Sequence, residues 1–263
     1  MIEFDQWPVA LKRAVEVRDA KVKPIMATLE SLDVSWTVVQ GNFSDLAQTI
    51  DMFAGGDREK TIVLWRQPPP VKRNYHLGVV RVFHNFLSAA VAYIYHLDRA
   101  TKRFKPVAGS LFDEWRRRQK TVRDRLHFLE HLRDFSIHNG THLSALTLRF
   151  NESGEPFGQV GFSVPPVLAD LEARNPRGND EKLSLHDSIA RLKAETSGIV
   201  EIRPVAEEYY HAAAAHREWF RKELLDLYSE LSNDLARWAP LADRAAVEQF
   251  FIENPIPVYG KSE

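Results

Sequence analysis

The stretch "NYHLGVVRVFHNFLSAAVAYIYHLDRATKRF", residues 74–104, decides the fold. Leu77, Val80, Phe83, Leu87, Ala90, Val91, Ile94 and Leu97 recur at helical steps, which lays an apolar stripe along one long amphipathic helix. A second long helix is expected over residues 110–139, with Asn139 and Gly140 as its stop. The connection between them is short, so the two should form an antiparallel helical hairpin.

Working outward from this pair, "RQPPP" at 66–70 reads as an extended linker, because consecutive prolines disfavour a helix. Before it, residues 8–32 carry helical spacing at Leu11, Val15, Val22, Ile25 and Leu29, with a kink or break expected at Pro24. "VSWTVVQ" (34–40) and "TIVLW" (61–65) are rich in β-branched residues and read as short strands. They flank a helix that Ser44 would cap and Gly55 and Gly56 would stop. After the hairpin of helices, "LSALTLRF" and "FGQVGFSV" alternate apolar and polar residues around "NESGEP", the pattern of a β-hairpin. Residues 175–182 read as a surface loop, and the chain turns helical again from Ser184. Residues 205–238 form the last long helix, with Tyr209, Trp219, Phe220, Leu224, Leu227, Leu231 and Leu235 free to pack. The expected organisation is mainly α: a mixed segment at 1–70, a helical core at 71–142, a β-hairpin at 143–165 and a helical region at 166–263 packed with the core.

Composition narrows the function classes. The 263 residues include no cysteine, which excludes disulfides and thiolate metal sites and fits a reducing, cytoplasmic setting. A net charge of −1 argues against coating nucleic acid through bulk charge, and leaves local basic faces open. The acidic opening "MIEFDQWPVALKR" has the form of neither a signal peptide nor a membrane span. No Gly-rich phosphate loop, nucleophile elbow or EF-hand pattern occurs. The six tryptophans are scattered and read as core residues.

The segment "HFLEHLRDFSIHNGTH" (127–142) concentrates histidines on the second helix. At about 100° per residue, with His127 as zero, His131 falls at about +40°, Asp134 at about −20° and His138 at about +20°. Arg116, Lys120 and Arg123 lie within about 40° of the same direction, while Phe128, Leu129, Leu132 and Phe135 point about 140° away as the core side. The stripe should therefore face solvent, a ligand or another chain. Arg133 stands at about 240°, beside Leu126 and Ile137, so it and His138 cannot easily act on one atom within a straight helix. A twofold dimer using Leu126 and Ile137 as contacts would bring two copies of each into one cleft.

Three readings of the stripe compete. It can be a solvated helix face whose charges balance Asp113, Glu114 and Asp124. It can bind a metal through His127 and His131 with Asp134 or His138, although the H-E-x-x-H signature is absent and cations crowd the site. Or it can cleave RNA without a metal. In that case Asp134 orients His138 to move a ribose 2′-hydroxyl proton, Arg133 stabilises the phosphate charge, and Arg116, Lys120, Arg123, His127 and His131 hold the RNA.

"LRDFSIHNG" (132–140) resembles the signature of the HEPN superfamily: an Arg, a polar residue, a short spacer and a His at the end of a bundle helix. The match is Arg133, Asp134, three intervening residues and His138. The preceding "RVFHNFLSAAVAYIYHLDRATKRF", with Asn85 and His96, is similar to the helix before that motif, and the resemblance spans residues 72–142. It implies a HEPN-like bundle and a metal-independent endoribonuclease, active as a homodimer with a composite site and needing no cofactor. Such enzymes act as toxins or phage-defence effectors, under an antitoxin or regulatory partner. It implies Arg133 and His138 as catalytic residues and Asp134 as the polar residue that tunes them. His131, Asn139 and His142 are possible helpers outside the motif. The superfamily also holds inactive members that serve as binding or assembly modules, which is the alternative reading.

Overall fold

The computed structural model of the chain describes residues 16, 23–138, 144–176 and 178–238. It divides into two compact units, Leu32–Arg217 and the combination of Met1–Ser31 with Glu218–Glu263. Among the described residues the elements are α1 (Lys23–Ala54), α2 (Arg58–Trp65), α3 (Pro69–Ala108), a 3-10 turn (Gly109–Leu111), α4 (Phe112–His138), β1 (Ser144–Phe150), β2 (Pro156–Ser163), α5 (Val164–Glu172), α6 (Asn179–Ala194), β3 (Ile199–Glu201) and α7 (Ile202–Trp238). The protein is mainly α with a small antiparallel sheet in the order β1-β2-β3.

Both strands expected before the prolines are helical. Leu32, Trp36, Val39, Leu46, Ile50 and Phe53 of α1 are buried at helical intervals, while Val34 and Val38 are exposed. Burial of that stripe overrides the β propensity of the valines. Ser44, expected as a cap, sits inside α1 and accepts a hydrogen bond from Gln48 Nε2 at 3.0 Å. The helix ends at Gly55 and Gly56, the latter with φ 82°. Asp57 then caps α2, its side chain accepting from the Lys60 amide at 3.1 Å. The buried Thr61 hydroxyl is satisfied by the Phe53 and Asp57 carbonyls at 2.7 and 2.9 Å, so "TIVLW" continues a helix.

The expected linker is short as well. Pro69 and Pro70 open α3, where a missing amide proton costs nothing. Pro24 is helical, and the 8–32 helix is described only from Lys23 onward, apart from Glu16.

α3 and α4 form the expected antiparallel hairpin. Residues at equal chain distance either side of the 3-10 turn meet: Phe104 with Trp115, Thr101 with Gln119, His84 with Ser136. Phe83, Phe86, Leu87, Ala90, Tyr93 and Leu97 of α3 are core residues, whereas Leu77 is 42% exposed. Over Pro69–Lys105 the helix is long and apolar enough to cross a membrane, as a buried core helix can also be, and 44% of its most apolar window is inside the protein.

The β-hairpin lies where the alternation placed it, with Ser144 opposite Phe162 and Phe150 opposite Pro156. A third strand, β3, was not expected; it pairs Gly161–Ser163 with Ile199–Glu201. β2 passes close over the end of α1: a Cβ at Gly158 would collide with the Phe53 carbonyl oxygen, and one at Gly161 with that of Val200. α6 begins at Asn179, so the loop expected at 175–182 is helical in its second half. In the other unit Ile25, Leu29, Phe220, Leu224 and Leu227 are buried.

Candidate functional site

α4 builds the site. Asp113 and Glu114 occupy its first turn and His138 its last, each suited to the helix dipole. Phe128, Leu129, Leu132 and Phe135 face the core, as the angular projection required, and Trp115 and Val122 are buried with them. Leu126 is buried as well, only 2% exposed, so it cannot be a dimer contact as expected. Ile137 beside Arg133 is half exposed and remains available.

The basic face of α4 lines a groove of about 790 Å³, completed by α6, Asp98 of α3 and Glu208 of α7. Arg116, Lys120, Arg123 and His127, the expected RNA-binding residues, all lie along it. Arg117, Arg125 and Arg191 join them, giving six Arg and Lys against four Asp and Glu. Several cations are already paired. Lys120 Nζ is 2.8 Å from Asp124, and Glu208 sits between Arg125 (3.3 Å) and Arg191 (2.8 Å). Arg123 reaches Asp98 only at 4.0 Å, and that carboxylate also holds Lys102 at 2.6 Å. Exposed pairs of this kind are worth about 0–1 kcal/mol each, so a polyanion can displace them. Phe128 contributes no bare stacking face, because the Arg191 guanidinium lies 4.5 Å from its ring centroid. The groove is thus suited to phosphates rather than to base stacking.

His131 departs from the expected exposed stripe. It is half-buried where α5 and α6 pack on α4. Its Nδ1 faces Arg174 Nη1 at 3.3 Å and its Nε2 faces Ser184 Oγ at 3.2 Å. A guanidinium only donates, so Nδ1 accepts and the imidazole proton sits on Nε2. Burial, then the Arg174 and His127 charges, lower its pKa from 6.5 to about 4. Arg174 also binds Asp170 at 2.8 Å and Asp134 at 3.7 Å. Asp134 therefore turns toward Arg174, and no hydrogen bond or ion pair joins it to His138, which is exposed at the end of α4. No three His, Asp or Glu side chains converge as a metal-binding group among the described residues. Asn139 and His142 lie outside the described residues.

Arg133 occupies a different face, where its charge is felt by His84 of α3. The Ser136 hydroxyl donates to the Arg133 carbonyl at 2.7 Å and stands 2.8 Å from His84 Nε2. Burial, then the Arg133 charge, lowers the pKa of His84. Glu130 is half-buried nearby; burial and then Asp134 raise its pKa, against the Arg133 and Arg123 charges.

Sequence reasoning missed Arg174, Arg191 and the neighbourhood of His84. The first two belong to or follow elements distant in the chain, and no linear pattern ties them to α4. His84 was legible in principle, since an antiparallel hairpin pairs residues equidistant from its turn. Comparison with known proteins gives no matching family model and no matching curated protein, so the chemistry of this site is argued from its own geometry.

Proposed function

We propose that this protein binds RNA through the α4 groove and, as a homodimer, cleaves it without a metal ion in the manner of HEPN ribonucleases, as a cytoplasmic toxin or defence effector. The observation that carries the reading is the groove: four of the residues expected to hold RNA line one basic cleft on one helix. Backbone phosphates are the ligand that such a row of Arg and Lys fits best. Arg133 and His138 are the proposed catalytic pair. They lie on different faces of α4, so the reading requires a second copy to unite them. An antitoxin or other regulatory protein would hold such an enzyme in check.

A second reading has its own support. Because Asp134 pairs with Arg174 rather than with His138, the chain also suits a non-catalytic RNA-binding or assembly module. The two separate in one experiment. An RNA panel is incubated in EDTA with wild type and with His138→Ala, and the oligomeric state is read by light scattering. Wild-type-only cleavage by a dimer, leaving a 2′,3′-cyclic phosphate, is the expected result. RNA binding without cleavage selects the RNA-binding module, and failure to bind RNA at all rejects the ribonuclease and leaves the assembly module.

A further inference from the structure

Cleavage of RNA by its own 2′-hydroxyl needs a base at the attacking oxygen and an acid at the leaving oxygen. The motif at the end of α4 offers one imidazole, His138. The structure holds a second, on the α3 side of Arg133.

We propose that His84 is the general base of the site, acting in the same chain as Arg133. This rests on the ribonuclease reading and adds a catalytic residue to it. The argument is the hydrogen-bond chain from the Arg133 backbone carbonyl through Ser136 to His84, whose ring feels the Arg133 charge. Ser136 spends its single hydroxyl hydrogen on the Arg133 carbonyl, at 2.7 Å. The contact at 2.8 Å between Ser136 Oγ and His84 Nε2 must then have Nε2 as donor. That fixes the neutral tautomer, with its proton on Nε2 and its lone pair on Nδ1. No described residue hydrogen-bonds Nδ1, so the basic nitrogen is free to meet a substrate. The charge felt by the ring is the guanidinium of Arg133. Burial and the Arg133 charge both keep the ring uncharged at neutral pH, as a base must be.

The step balances without a further reactant. His84 Nδ1 takes the proton of the 2′-hydroxyl, and the freed electron pair on the 2′-oxygen forms a bond to phosphorus. The bond from phosphorus to the 5′-oxygen breaks, and that oxygen leaves with a proton from His138 of the partner subunit. Arg133 carries the charge that builds on the non-bridging oxygens. The products are a 2′,3′-cyclic phosphate and a 5′-hydroxyl.

The test uses the full-length protein in EDTA. In His84→Gln the side-chain amide can still donate to Ser136 but offers no base. Cleavage should fall by about 10²- to 10⁴-fold with KM unchanged, and the acid limb of the pH–rate profile should vanish. The exposed His186→Gln, on α6, serves as the control and should cleave normally. If His84→Gln cleaves at the wild-type rate while His138→Ala is dead, the proposal fails and the ribonuclease reading stands. If wild type cleaves nothing, the ribonuclease reading fails and the assignment of His84 as its base fails with it.

Discussion

At pH 7 the His131 imidazole is neutral, because burial strips water from it and the Arg174 and His127 charges stand beside it. Asp134 and Glu181 pull the other way and do not win. The folded-state pKa, about 4, lies below the ordinary 6.5, so between these values the unfolded chain binds a proton that the folded chain does not. The stability contributed by this ring is therefore complete above about pH 6.5 and is lost as the pH falls toward 4. His131→Gln removes the titration, and its urea midpoint should drop less than that of wild type between pH 7 and pH 5. Equal drops would assign the acid sensitivity to other groups. Arg174→Ala should raise the pKa of His131, read by NMR titration, and should release Asp134 from its 3.7 Å contact. Arg174 therefore controls both Asp134 of the sequence motif and the neighbouring His131 from outside α4.

At the scale of elements, α1 shows most directly what pattern reading can and cannot settle. Trp36 is buried against Tyr93 and Tyr210, with ring centroids 5.3 and 5.2 Å away. Trp36→Ala should destabilise the protein by about 3–5 kcal/mol. Val34→Thr, on the exposed face of the same helix, should change stability by no more than about 0.5 kcal/mol. Chemical denaturation of both variants checks the contrast, and comparable losses would mean that the helix buries a different face. The strand expected at 34–40 failed because its seven residues were weighed by local propensity. The helical period is visible only when Leu32, Trp36, Val39, Leu46, Ile50 and Phe53 are followed together. The α3–α4 hairpin was legible because each helix carries many turns of its own pattern. β3 has three residues and pairs with a strand 36 or more positions earlier, so nothing local announces it. The same division holds at the site. The groove-facing residues of α4 followed from angles along one helix, whereas the partners of His131 and Asp134 depend on how α5 and α6 pack against it.

For the whole molecule the relevant quantity is the placement of charge. A net charge of −1 supplies no general attraction to RNA, so the proposed binding would have to arise where cations outnumber acids, in the α4 groove. Arg116→Ala and Arg123→Ala should each weaken RNA binding almost uniformly across sequences and lower the salt slope by about 1. Glu208→Gln should act in the opposite sense. It frees Arg125 and Arg191 from their shared carboxylate and should tighten binding by up to about tenfold, equivalent to about 1.4 kcal/mol. Filter binding at several salt concentrations reads all three variants. Weaker binding in Glu208→Gln would mean that this carboxylate organises the groove rather than competing with RNA.

The two glycines of β2 carry a consequence for how the sheet finds its place. Sliding β2 by one residue in either direction would bring Phe157 or Gln159 to the point where Gly158 clears the Phe53 carbonyl. A slip would also turn every side chain of the strand to its opposite face. Gly161 imposes the same demand against Val200, three residues further along. The strand is keyed by two missing side chains, like a notched blade that enters its lock at one depth, and the sheet has a single seating on the helices beneath it.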